Sequence, residues 1–184
     1  MKKVIISANA VTCMRIAETV AMVFTEPLSA GFFALYTFAG VTDVLDGFIA
    51  RRTHTSSEKG ARLDSVADLL FYAAMIIRLF PRLFKMLPKR IWIYAATAVV
   101  IRLGSYLAAL IKYGKFASLH TYMNKLTGAA VFLVPYFMFS SVCFGYCVAV
   151  CLIGAVASTE ELIIHLSGRG TEPDIKTLFH WNKQ

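Results

Sequence analysis

Six apolar blocks, at about residues 9–26, 30–50, 61–80, 91–111, 126–143 and 145–166, run almost end to end along the chain. Each is close to the ~20 residues that an α-helix needs to cross about 30 Å of hydrocarbon. Lipid offers a backbone N–H or C=O no partner, so blocks of this kind must be helical. Composition agrees. Of the 184 residues, 58% are hydrophobic and 16% charged, with a mean hydropathy of +0.62, beyond what a soluble domain of this length normally carries. The expectation is one domain over residues 1–184, an all-α integral membrane protein with six transmembrane helices. The opening "MKKVIISANA" has the basic start and A-x-A-like end of a signal peptide. Its apolar run is only a few residues, however, and Arg15 and Glu18 interrupt the next stretch of the chain, so it reads as a short N-terminal interfacial segment on the cytoplasmic side.

A net charge of +8 could point to nucleic acid. Basic residues that flank membrane spans are better explained by topology and anionic lipid, so membrane lipids are the expected partner and nucleic acid is not. With the N-terminus inside, Arg51, Arg52, Lys59, Arg62, Lys112, Lys115 and Lys125 all fall on the cytoplasmic side. One connection runs against this pattern. The segment "RLFPRLFKMLPKR", residues 78–90, carries Arg78, Arg82, Lys85, Lys89 and Arg90 between the third and fourth blocks and would lie outside. Its spacing and two prolines predict an interfacial turn against anionic headgroups. The cysteines Cys143, Cys147 and Cys151 form an i, i+4, i+8 stripe. Without a C-x-x-C pair, that stripe reads as helix packing rather than a soft-metal site.

Against this background the acids are oddly placed. The chain has 11, and four of them, Asp43, Asp46, Asp64 and Asp68, stand in one 26-residue window where the second block ends and the third begins. Asp43 and Asp46 are i, i+3 on one helix and Asp64 and Asp68 are i, i+4 on the next, so each pair shares a face. Thr55 followed by Glu58 fits a capping box that opens the third helix after the connector turns back. Such a hairpin can bring all four carboxylates to one depth. An aspartate at a helix centre costs about 2.5–3.5 kcal/mol on insertion scales, so four isolated ones would cost roughly 10–14 kcal/mol, comparable to the stability of a whole domain.

Something must neutralise the cluster. Arg51, Arg52 and Arg62, cytoplasmic water or protonation are the simple candidates. None of these explains the small residues Gly47, Ala50 and Gly60 in the same window, since a helical glycine costs about 1 kcal/mol relative to alanine unless something approaches closely. Divalent cations on oxygen ligands, with a phosphorylated substrate lying against a smooth wall, satisfy both observations. Carboxylates at this spacing suit Mg²⁺ or Mn²⁺.

The window reads Asp43-x2-Asp46-Gly47-x2-Ala50-Arg51-x8-Gly60-x3-Asp64-x3-Asp68. At all eight defined positions it resembles the signature of the CDP-alcohol phosphotransferase family, a class of CDP-alcohol phosphatidyltransferases. "NAVTCMR", with Asn9, Thr12 and Arg15, is similar to the family's segment before the first span, and "STEE" around Glu160 to the ending of some members. The resemblance implies six membrane helices with the motif on the second and third. It implies transfer of a phosphatidyl group from CDP-diacylglycerol to a small alcohol with release of CMP, in a homodimer whose active site faces the cytoplasm. By matching position, Asp43, Asp46, Asp64 and Asp68 would hold two Mg²⁺ or Mn²⁺ ions, and Asp68 would also act as general base. Gly47, Ala50, Arg51 and Gly60, with Asn9 and Thr12, would bind the CDP moiety.

For the acceptor, the polar residues beyond the motif are Arg102 inside the fourth block, Lys112 after it, and Lys125 in "LHTYMNK". An arginine deep in an apolar helix is expensive unless it meets an anion. That anion would be an acceptor's phosphate, or one of the aspartates or Glu160. Lys112 could instead snorkel at the interface. A basic group favours glycerol 3-phosphate and the phosphatidylglycerophosphate synthase-like branch of the family. That branch usually carries proline after the third aspartate and lysine after the fourth, whereas Ser65 and Leu69 stand here. Serine, inositol, inositol phosphate and phosphatidylglycerol therefore stay open as acceptors. A divalent-cation transporter is the rival from another class, but it leaves Gly47, Ala50, Arg51 and Gly60 without a role.

Overall fold

The computed structural model describes residues 8–53, 58–114, 119, 121–167 and 177. Six helices are found among the described residues: α1 (Ala8–Phe24), α2 (Ala30–Thr53), α3 (Glu58–Met86), α4 (Lys89–Tyr113), α5 (Tyr122–Phe137) and α6 (Cys143–Leu166). They overlay the six apolar blocks. The N-terminal segment before Ala8, and Thr55 of the expected capping box, lie outside the described residues. Among the described residues two helices, α4 and α6, are long and apolar enough to cross a membrane. Among the described residues α1 and α5 are the shortest helices, at 17 and 16 residues, near the lower end of the ~17–25 that a crossing takes. The motif's acids lie on α2 and α3, and its one arginine, Arg51, on α2.

The chain divides into two compact units, Met1–Met86 and Leu87–Gln184. In the first unit α1 packs on both α2 and α3. Met22, Phe32, Tyr36, Ala39, Ala67 and Ala74 are its buried centre. Tyr36 stacks on Phe32 at 5.9 Å and on Phe71 of α3 at 5.5 Å, an offset arrangement that aromatic quadrupoles favour. Where α1 ends, Leu28 takes φ 67° and the Ser29 hydroxyl oxygen accepts from the Phe32 N–H at 3.1 Å, which satisfies one of the first free donors of α2.

The segment 78–90 departs from expectation. α3 runs through Pro81 as far as Met86, and the break is confined to Leu87 and Pro88, so most of the predicted interfacial turn is helix. Pro81 lacks an N–H and leaves the bond to the Ile77 carbonyl unmade, a local loss that does not end the helix. Two of the five basic residues also have an internal task. Arg78 donates to the Thr25 carbonyl and Arg82 to the Pro27 carbonyl at 3.0 Å, so they cap the α1 exit, where carbonyls lack partners and cations are favoured.

In the second unit α6 packs on both α4 and α5. Gly114, in the left-handed conformation at φ 67°, returns its N–H to the Leu110 carbonyl and ends α4, a position that glycine fills without strain. Thr121 caps α5 by accepting from the Asn124 N–H at 3.2 Å. Cys143 and Cys147 are buried against Ile91, with Trp92, Val134, Val148 and Cys151 around them. The cysteine stripe is thus a packing surface.

Candidate active site

The site in the first unit grows from three helices. Near its start, α1 carries Thr12, Arg15, Glu18 and Thr19, all buried. Their 3–4-residue spacing is the pattern of one helix face. Arg15 is 2% exposed, yet its Nη1 meets Asp43 Oδ1 from α2 and stands 3.3 Å from Asp68 Oδ1 of α3. A guanidinium cannot shed its charge at ordinary pH, so burying it requires carboxylates nearby. The carboxylates themselves are not buried: the Asp43 and Asp68 side chains are 52% and 48% exposed. Behind the pair, the one Thr42 hydroxyl proton is shared between the Ala39 carbonyl at 2.9 Å and Glu18 Oε2 at 3.4 Å. This ties the Asp43 end of α2 to α1.

Two of the four motif aspartates, from two different helices, therefore converge on one positive charge. Asp46 and Asp64 have backbones within α2 and α3, but their side chains lie outside the described ones, as do those of Asn9, Ala50 and Arg51 and the surroundings of Gly47. Gly60 lies in the first turn of α3, half-buried. Thr12 is buried one turn before Arg15. Among the described residues no three His, Cys, Asp or Glu side chains gather at metal-binding distance. The donor set that is described nevertheless fits a divalent cation in kind. It consists of two carboxylates, oxygen donors suited to a hard ion, half open to solvent and already arranged around a cationic centre.

The second unit holds a different polar centre. Arg102 of α4 bonds Glu161 Oε2 at 2.5 Å, Asn124 Oδ1 at 2.8 Å and the Tyr106 hydroxyl at 3.0 Å. Its partner is thus Glu161, not the neighbouring Glu160 that the sequence suggested. Glu161 is fully buried. It also accepts from Asn124 Nδ2 at 2.6 Å and from the Leu119 N–H at 3.2 Å, with His165 Nε2 3.7 Å away. Lys112 caps α6 through the Leu166 carbonyl at 2.7 Å. Lys125 is exposed, 6.0 Å from the Tyr122 ring. His120 lies outside the described residues.

Sequence reasoning missed two charged residues, Arg15 as the partner of the aspartates and Glu161 as the partner of Arg102. The signal for Arg15 was present. A charged pair three residues apart inside an apolar block demands a buried counter-ion on a neighbouring helix.

Fold and motif together define a helical protein with paired carboxylates on consecutive helices, and residues 5–160 match the family model described as CDP-alcohol phosphatidyltransferase. The chain belongs to that family. Among its relatives, CDP-diacylglycerol--glycerol-3-phosphate 3-phosphatidyltransferase of Pseudomonas fluorescens is 32% identical over 98 residues, 50% of this chain and 48% of the relative. CDP-diacylglycerol--glycerol-3-phosphate 3-phosphatidyltransferase 2 of Arabidopsis thaliana is 50% identical over 46 residues, 25% of this chain and 20% of the relative. The chain thus spans about half the length of the first of these relatives and about a fifth of the second. No solved structure matches it.

Proposed function

We propose that the protein is an integral membrane enzyme that moves the phosphatidyl group of CDP-diacylglycerol onto glycerol 3-phosphate and releases CMP. The observation that carries this reading is the convergence of Asp43 and Asp68, two half-exposed carboxylates from α2 and α3, at the centre of the family's motif. The acceptor rests on the two relatives, both glycerol-3-phosphate 3-phosphatidyltransferases by name.

In the reaction the acceptor's hydroxyl oxygen bonds to the phosphorus that bears diacylglycerol. The P–O–P link to CMP breaks, CMP leaves with the bonding electrons, and Asp68 takes the hydroxyl proton. Asp43, Asp46, Asp64 and Asp68 would hold two Mg²⁺ or Mn²⁺ ions. When bound, such ions supply positive charge to the diphosphate and to the departing CMP. By matching position in the motif, Gly47, Ala50 and Gly60 would leave room for the CDP moiety, Arg51 would meet its diphosphate, and Asn9 and Thr12 would complete its binding. Of the basic residues expected at the acceptor's phosphate, Lys125 is exposed, whereas Arg102 and Lys112 are engaged within the second unit. Arg102 has the least freedom of the three, because Glu161 already offsets its charge.

The same reading takes all six helices as membrane-crossing, the whole chain as one catalytic domain with its site toward the cytoplasm, and the working form as a homodimer. A water-soluble cytidine head and a diacylglycerol tail meet most readily just inside an aqueous interface. The test is CMP release from CDP-diacylglycerol by the purified protein with Mn²⁺ or Mg²⁺, across glycerol 3-phosphate, serine, inositol and inositol phosphate. Turnover with glycerol 3-phosphate is expected. Turnover with serine or inositol alone would reassign the acceptor, and cation flux into liposomes without CMP release would replace the enzyme with a transporter.

A further inference from the structure

Arg15 has no part in the roles proposed for the motif, yet it is the most deeply buried charge among the described residues of the first unit. It is ion-paired with the same two carboxylates that the proposed function gives to divalent ions, its Nη1 lying against Oδ1 of Asp43 and of Asp68 from a third helix. Its location is tightly determined. The residue is 2% exposed, its neighbours Thr12, Glu18 and Thr19 are buried with it, and the Thr19 hydroxyl bonds back to the Arg15 carbonyl at 2.8 Å. A buried guanidinium in this position acts on the site in two opposed ways. It draws two acids on separate helices toward one point, which favours an ion that needs both. It also repels any cation that arrives there, and it cannot relieve the repulsion by losing its proton.

We propose that Arg15 is a positioning residue that competes with divalent cations for Asp43 and Asp68, so that the ions bind weakly alone and firmly only with the diphosphate of the nucleotide substrate. The inference rests on the proposed metal site. Its physical core is charge balance. The diphosphate brings negative charge that offsets the repulsion between guanidinium and metal, so nucleotide and metal each raise the other's affinity, and the coupling is reciprocal. Without Arg15 the acids would hold the metal whether or not substrate is present.

The experiment measures Mn²⁺ binding to the purified full chain, from the electron paramagnetic resonance signal of free Mn²⁺, with and without CDP as the soluble nucleotide probe. Arg15→Gln is expected to bind Mn²⁺ about tenfold more tightly than wild type without CDP, and CDP should enhance its affinity much less. Arg15→Lys keeps the charge and should stay near wild type in both respects. Equal or weaker Mn²⁺ affinity in Arg15→Gln, with wild-type enhancement by CDP, overturns the competition. Failure of wild type to bind Mn²⁺ even with CDP removes the metal reading instead, so the two failures are distinguishable.

Should Arg15→Gln not fold, phenylglyoxal labelling of the wild type takes its place. Mn²⁺ with CDP is expected to raise modification of Arg15, located by mass spectrometry, because the carboxylates turn from guanidinium to metal. An unchanged labelling rate overturns the proposal.

Discussion

Each three-helix unit is organised around a buried charge, and the sign is inverted between them. The first unit buries a cation, Arg15, and leaves Asp43 and Asp68 about half exposed. The second buries an acid, Glu161, and leaves the cation Arg102 27% exposed. The consequence lies in which lone pairs stay available. Both oxygens of Glu161 already accept hydrogen bonds from the chain, from Arg102, Asn124 and the Leu119 N–H, so the network closes on itself. Asp43 and Asp68 as carboxylates can only accept, and they present part of their surface outward. A buried acid with filled acceptor sites ties helices together, whereas half-exposed acids held by a buried cation can bind something else. The first arrangement is structural and the second suits a ligand.

The largest effect should come from Asp68→Asn. The change keeps shape and hydrogen-bonding ability but removes the proton acceptor, so CMP release should fall by about 10²–10⁴-fold, the range for loss of a general base. Because the Asp68 side chain is half exposed and Asp43 still pairs with the buried Arg15, the thermal unfolding midpoint in detergent should fall only modestly, well short of the loss expected for the second unit's buried pair. Comparable turnover in the variant would show that the open acids of the first unit are not its chemistry.

The mirror experiment is made on Glu161. Removing one partner of a buried, hydrogen-bonded ion pair costs about 3–5 kcal/mol, so Glu161→Gln should lower the unfolding midpoint strongly. Joint replacement, Glu161→Leu with Arg102→Met, should recover most of that loss, because no uncompensated charge is left behind. If the single variant is stable but fails to respond to glycerol 3-phosphate, the second unit's centre is an acceptor site and the contrast between the units dissolves.

How far these centres were legible differs for physical reasons. The helices could be read because a long apolar block satisfies its backbone groups within itself as a helix, and Ala8–Phe24 or Ala30–Thr53 lie within a few residues of the blocks that announce them. The aspartates could be read because acids in apolar sequence are costly, and helical spacing assigns each pair a face. The partners could not. Whether Arg102 meets Glu160 or Glu161 depends on one residue's rotation, about 100° on α6, which no local pattern fixes. Arg15 faces acids on the second and third helices, far along the chain, a choice made by packing of three helices. The segment 78–90 misled because prolines usually mark turns. At Pro81 helix continues, and the charges that suggested headgroup contact include two that hold the α1 exit.

The smallest expected effect sharpens the contrast most finely. Thr121 caps α5 through the Asn124 N–H, and the Asn124 side chain bonds Glu161 and the Leu119 carbonyl, so the cap and the buried acid belong to one network. Thr121→Ala should cost about 1 kcal/mol, as loss of an N-cap does. Combined with Glu161→Gln it should cost less than the sum of the two single changes, since residues sharing a network couple. The same cap removal paired with Asp43→Asn should be additive, because Asp43 belongs to the centre of the first unit, built on Arg15 rather than on Asn124. Thermal unfolding of the two double variants separates these outcomes. Equal coupling in both would mean that the centres do not act independently, and that the buried acid and the buried cation are parts of a single device.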